Sequence, residues 1–120
     1  MIGGIYKYKL TEYQDNDGKL TPFEKEVNVP FEVKRVFYIH EVPLGKTRAN
    51  HACMNGAMVL IMINGKAKVK LDTGVSMCEF ELCEMKEALF VPPRIWLSVE
   101  FKDEKGIMMV LSNIQYKDAV

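Results

Sequence analysis

Histidine, cysteine, tryptophan and net charge are all scarce in this 120-residue chain. It holds two histidines, three cysteines and one tryptophan, and its sixteen basic and sixteen acidic residues cancel. No like-charge run exceeds a few residues, so there is no electrostatic footprint for a nucleic acid or a membrane surface. The longest apolar run, Ala57 to Ile63, is far too short to span a bilayer. The opening Met-Ile-Gly-Gly-Ile-Tyr-Lys lacks the charged-then-apolar form of a signal peptide. Cys53, Cys78 and Cys83 make an odd count with no Cys-x-x-Cys, which points to reduced thiols in a cytoplasm. Helical periodicity is missing too, apart from a short turn near Thr21 to Glu26. What remains is one small, neutral, intracellular domain over residues 1–120, with 48% apolar residues and enough length for a single core.

What is present reads as strands. Val33 to His40 alternates, with Val33, Arg35, Phe37 and Ile39 on one face and Val36, Tyr38 and His40 on the other. Ala57 to Ile63 is continuously apolar, as a strand buried on both faces would be. Asn64-Gly65 follows it, a dipeptide that signals a hairpin because glycine tolerates positive φ. Lys66 to Leu71 sets lysines outward and apolar residues inward, and Asp72-Thr73-Gly74 turns the chain again. Further strands are expected at Cys78–Leu82, Ala88–Val91, Trp96–Phe101 and Ile107–Leu111. Strands about ten residues apart, punctuated by Gly, Pro and Asn, predict an all-β antiparallel sandwich or barrel.

One stretch, Gly45-Lys-Thr-Arg-Ala-Asn-His51-Ala-Cys53, carries candidate chemistry. His51 and Cys53 are two apart, so on a strand they share a face. They could be half of a metal site, an acid/base pair, or two core residues that alternate. The spacing resembles the first motif of the cupin barrel: Gly45, five residues, His51, then Cys53 in place of a second histidine, Met58 in place of a glutamate, and Gly65 in register. Val91-Pro-Pro-Arg-Ile-Trp-Leu97 resembles the second motif, with Leu97 where a metal-binding histidine would lie. The implied fold is a cupin barrel (a double-stranded β-helix, or jelly roll). A thiolate and an imidazole from one strand are too few ligands for a stable metal site, and Met58 and Leu97 add no hard donor, so no metal or other cofactor is expected.

Asp17-Gly-Lys-Leu, Val29-Pro-Phe-Glu-Val-Lys-Arg-Val-Phe-Tyr38, Arg48 before His51, Pro92-Pro93 before Trp96, and Val110-Leu-Ser112 before Tyr116 occur in one order. That order resembles the WxcM-like sugar-nucleotide 3,4-ketoisomerases of the cupin superfamily, which act on dTDP-4-keto-6-deoxyglucose. The likeness spans about Asp17 to Tyr116. It implies a metal-free homodimer with an exchanged N-terminal strand, so the segment of about residues 1–32 is expected to pack on a partner copy.

Moving a ketone from C4 to C3 of a sugar requires removal of the proton beside the carbonyl, an enediol, and return of a proton to the neighbouring carbon. Imidazole is the side chain that titrates near pH 7 without perturbation. His51 matches the family's first histidine and is the expected base. Cys53 stands at the position of the second, the expected proton shuttle, where an unperturbed thiol is a weaker relay. Met54, Met58 and Leu97 replace polar residues of the family pattern, which leaves open an altered substrate or a binder that no longer isomerises.

The other candidates each have two readings. Tyr38 either touches the sugar or packs in the core. Arg48 either holds the diphosphate bidentately or forms a surface ion pair. Arg35 serves the diphosphate or a structural carboxylate. Trp96 stacks on the substrate at the barrel mouth or caps the barrel. His40 matches no family histidine and is expected at the surface.

Overall fold

The structure, a computed structural model, describes residues 3–118. Its strands are β1 (Tyr6–Lys9), β2 (Tyr13–Asp15), β3 (Gly18–Leu20), β4 (Arg35–His40), β5 (Thr47–Ala52), β6 (Met58–Asn64), β7 (Ala67–Asp72), β8 (Met77–Leu82), β9 (Glu87–Val91), β10 (Trp96–Phe101) and β11 (Ile107–Ser112). A short 3₁₀ turn at Tyr116–Asp118 follows. They form a five-stranded sheet ordered β1-β9-β6-β11-β4, a four-stranded sheet ordered β5-β10-β7-β8, and a separate β2-β3 hairpin. All named strand pairs are antiparallel. From β4 to β11 every connection crosses from one sheet to the other except the β7–β8 hairpin. That alternation makes a jelly roll, and the expected all-β cupin architecture is the one found.

Burial follows from which face of the larger sheet is covered. Leu60 and Met62 of β6 point between the sheets, against Val69, Leu71, Leu97 and Val99 in the main cluster. Val59 and Ile61, the alternate residues of the same strand, enter a second cluster in which Val29 and Phe31 lie over the outer face. A strand covered on both sides must be apolar at every position, which is why the Met-Val-Leu-Ile-Met run is continuous. Strand β7 is covered on one side only and alternates accordingly.

One turn departs from expectation. Asn64-Gly65 does not close a hairpin: β6 ends in the five-stranded sheet and β7 begins in the other. Gly65 supplies the positive φ of 76°, and a Cβ there would come within 2.9 Å of Asp103. The residue need for a tight reversal was correctly signalled; the partner of the strand was not. By contrast Asp72-Thr73-Gly74 does close the β7–β8 hairpin, pairing Asp72 with Met77. Thr21 to Glu26 forms no helix; the chain makes a tight turn closed by Asn28, whose Oδ1 accepts from Glu24 N–H at 2.8 Å.

The consequence for function lies at the edges. Strands β4 and β5 each end a sheet and do not pair with each other. The sandwich is open along that side, spanned by residues 41–46.

Candidate active site

Along this open side lies a cavity of about 530 Å³. Its floor is the main core itself, through Met58, Leu60, Leu97, Val99, Met108 and Val110. Its polar groups come from β5 and the preceding loop: Lys46, Arg48 and His51, with His40 and Glu41 at the rim.

The β5 wall depends on a bulge. His51 is paired with Leu97 and Arg48 with Val99, two inward-facing residues of β10. Residues directly opposite on an antiparallel ladder share a face, so Arg48 and His51 both face the cavity. Three residues apart on a regular strand they would point to opposite sides. The register shifts between Leu97 and Ser98, leaving Asn50 as an extra residue on β5. Ala49 and Asn50 both have positive φ, 72° and 56°, which carries the chain through the irregularity.

His51 is exposed in the cavity. Among the described residues neither Arg48 nor Lys46 takes part in an ion pair. Glu41, the acid nearest them in the loop, is engaged by His40, with Nδ1 to Oε2 at 3.1 Å. The wall therefore offers two cations to an anion over an apolar floor. The groups whose titration burial perturbs lie elsewhere. Burial and the neighbouring Tyr6 push the Tyr8 phenol up to about 12, and burial raises the Cys78 thiol.

The structure sorts the residues singled out above. It brings His51 and Arg48 together. Cys53 faces inward with His51, but it lies in the main core at 9% exposure and is not part of the cavity wall. Its carbonyl accepts from Arg94 N–H at 2.8 Å, which holds the end of β5 to β10. Tyr38 reaches the cavity edge, yet Phe37 and Ile39 on either side of it turn inward. Tyr38 itself pairs with Met109 of the second cluster and is 56% exposed, so it stands at the cavity edge beside His40 and not on the floor.

Arg35 and Trp96 depart further from expectation. Arg35 does not line the cavity; its guanidinium carbon sits 4.4 Å from the Phe37 ring centre and 5.5 Å from that of Tyr116. No carboxylate pairs with it among the described residues, and its Nε and Nη1 are buried without a hydrogen-bond partner, so aromatic faces are its setting. Trp96 alternates with the inward Leu97 and faces out of the sandwich, in a separate shallow groove with Ala52, Met77 and Arg94. It neither caps the barrel nor reaches the cavity.

Sequence reasoning missed Lys46 and Phe37. Lys46 had a signal, its position in the loop between Gly45 and Arg48. Phe37 had one too, because it shares a face with Ile39.

No group of three or more His, Cys, Asp or Glu gathers around a common point among the described residues. None of their helices is long and apolar enough to cross a membrane.

Comparison with known proteins gives the site a context. The family model described as FdtA, WxcM-like, C-terminal matches residues 5–119. The TDP-4-oxo-6-deoxy-alpha-D-glucose-3,4-oxoisomerase of Aneurinibacillus thermoaerophilus is 33% identical over 104 residues, 87% of this chain and 75% of that protein. A crystal structure of a mutant of the 3,4-ketoisomerase QdtA from Thermoanaerobacterium thermosaccharolyticum, in complex with TDP-4-keto-6-deoxyglucose, has a TM-score of 0.91 at 29% identity and covers 100% of this chain and 88% of that one. The TDP-fucose-3,4-ketoisomerase WlaRA of Campylobacter jejuni has a TM-score of 0.90 at 28% identity, covering 98% and 88%. With nearly its whole length matched in sequence and in fold, the chain belongs to the FdtA/WxcM-like family.

Proposed function

We propose that this protein is a sugar-nucleotide 3,4-ketoisomerase acting on a dTDP-linked 4-keto-6-deoxyhexose, with His51 as the base. The observation that carries the reading is the shared wall of the cavity, where an accessible imidazole and a guanidinium with no ion-pair partner among the described residues face one apolar floor. Matching isomerases across nearly the whole chain supports it.

In the forward direction His51 removes the C3 proton, which the C4 ketone acidifies. The electron pair moves into a C3–C4 double bond and the carbonyl oxygen takes a proton, giving an enediol. Loss of the O3 proton and delivery of a proton to C4 leave the ketone at C3. Arg48 and Lys46 hold the diphosphate at the mouth, a task suited to guanidinium because its fork matches phosphate oxygens. The apolar floor excludes water from the enediol and lies against the deoxygenated part of the sugar. No metal is proposed, because Met58 and Leu97 hold two positions where a hard donor would be needed.

The buried position of Cys53 favours a second reading. A thiol outside the cavity wall relays no proton between O3 and O4, and a chain so limited binds the nucleotide sugar with weak or no turnover. Incubation with TDP-4-keto-6-deoxyglucose and nuclear magnetic resonance of the products separates the two. Appearance of the 3-keto isomer establishes the isomerase; TDP affinity without any isomer establishes the binder.

We also propose a cytoplasmic homodimer. Three unpaired cysteines suit a reducing compartment. Among the described residues the β2-β3 hairpin pairs with no other strand, and it exposes Tyr13 and Leu20, each 61%, while the edge strands are open to pairing. β1 lies on β9 of its own chain; in the dimer the segment of about residues 1–32 makes these contacts with the partner. A monomer mass by light scattering at micromolar concentration would overturn this.

A further inference from the structure

The bulge in β5 has a specific side chain holding it. Asn50 is the extra residue, and its side chain lies on the face away from the cavity. Its Oδ1 accepts from the Ser98 hydroxyl at 2.7 Å, and its Nδ2 donates to Thr47 Oγ1 at 3.1 Å. Ser98 is 7% exposed and sits on β10 at the point where the register shifts. Thr47 lies on β5 beyond the shift, paired with Glu100. One carboxamide thus bridges both strands across the irregularity.

We propose that Asn50 is the positioning residue of this site: its side chain locks the bulge that turns Arg48 onto the same face as His51. The inference rests on the ketoisomerase reading for what Arg48 does, though not for where it points.

The alternative register shows why a lock is needed. If β5 paired regularly from His51 backward, Asn50 would oppose Ser98, Ala49 would oppose Val99, and Arg48 would oppose Glu100. A one-residue slip exchanges faces for everything beyond it. Arg48 would then point out of the sandwich while His51, still opposite Leu97, stayed in place. Two forces favour the slip. Regular pairing restores ladder hydrogen bonds, and it relieves two successive non-glycine residues of left-handed conformation. Asparagine opposes it twice. It tolerates that conformation better than most side chains, and its side-chain bond to Thr47 exists only in the bulge, because three residues apart on a regular strand the two would face opposite sides. Ala49 has no such tolerance, so the strain at φ 72° is held by its neighbour. Asn50 is therefore not a catalytic residue: it faces away from the substrate and acts through Arg48.

The test separates geometry from binding. In the wild type, cross-strand nuclear Overhauser contacts should join Arg48 to Val99. In Asn50→Ala they should move to Ala49 and Val99, a shift independent of any ligand. The Kd for TDP should rise about tenfold, the loss of a charge-assisted contact, with a smaller change in kcat because His51 stays in place. In an Arg48→Ala background the same Asn50→Ala change should cost less than about twofold, since both remove one interaction. Asn50→Asp keeps an oxygen that accepts from the Thr47 and Ser98 hydroxyls and the tolerance of positive φ, and should restore most of the affinity. Thr47→Val, which removes the hydroxyl that Asn50 bonds in the bulge and keeps the side chain's volume, should weaken TDP binding in the same direction and serves if Asn50→Ala fails to fold. The proposal is overturned if Arg48–Val99 contacts persist in Asn50→Ala, or in Thr47→Val where that variant stands in. It is equally overturned if the affinity losses of Asn50→Ala and Arg48→Ala simply add. A wild type that binds no TDP overturns the ketoisomerase reading instead, and the Overhauser contacts still decide the role of Asn50.

Discussion

Strands β5 and β7 flank the same neighbour, β10, and have opposite characters. β7 pairs with it over six unbroken steps, from Asp72↔Trp96 to Ala67↔Phe101, with Ala67, Val69 and Leu71 fully buried. β5 pairs over five steps with a shift in the middle, and its residues are exposed or half-buried. One side of β10 obeys the period of two and contributes stability. The other breaks it at Ala49–Asn50 and presents Arg48 and His51. The frame is built where every local preference agrees, and the site where one is overridden.

The strongest way to break this contrast is at His51. His51→Asn should lower isomerisation by about 10²–10⁴-fold, the usual loss on removing a general base. Because His51 is exposed, the thermal midpoint and the TDP affinity should stay near wild type; a variant that isomerises normally would contradict its role.

The matching change on the other side is Leu71→Ala, which should cost about 2–5 kcal/mol in urea denaturation through lost burial and a residual cavity. Its TDP affinity at saturating folded protein should not move. An equal fall in affinity would mean that frame and site are not separable.

Cys53 joins the two regions, inward like His51 but buried like Leu71. Cys53→His should leave turnover near wild type, because a side chain outside the cavity wall exchanges no proton with the sugar oxygens. It should also destabilise the fold by about 1–3 kcal/mol, the usual cost of overfilling a packed site. A gain in turnover with no loss of stability would place Cys53 in roomier surroundings than its burial indicates.

The smallest effect lies on β1, outside both strands. Tyr8 donates its hydroxyl to the Asn28 carbonyl at 2.6 Å, and its pKa is pushed up to about 12 by burial and Tyr6. Folding therefore favours the neutral phenol. This contribution is complete below the unfolded value near 10 and is lost as pH climbs toward 12. Tyr8→Phe should flatten the decline in stability over that window in pH-resolved thermal melts.

Much of this was legible in the sequence. The lysine alternation of β7 and the unbroken apolar run of β6 correctly announced one covered face and two. The spacing from Gly45 through His51 to Gly65 correctly placed the histidine inward. Trp96 and Tyr38 were legible as well, since Leu97 and Phe37 beside them face in and neighbours on a strand must face out. What could not be read was the bulge, because nothing local in Arg48-Ala-Asn-His51 marks a register shift that is defined by pairing with another strand, β10. Nor could Asn64-Gly65 reveal its arch, since a tight reversal has the same local chemistry whether the next strand joins the same sheet or the facing one.

Isomerisation in deuterium oxide tests the central claim most directly, with wild type and His51→Asn compared on TDP-4-keto-6-deoxyglucose by proton nuclear magnetic resonance. The account predicts that wild type forms the 3-keto isomer and takes up deuterium at the carbons between which the ketone moves, while His51→Asn does neither and still binds TDP. A wild-type protein that binds TDP yet neither exchanges nor isomerises, or a His51→Asn variant as active as wild type, would contradict it.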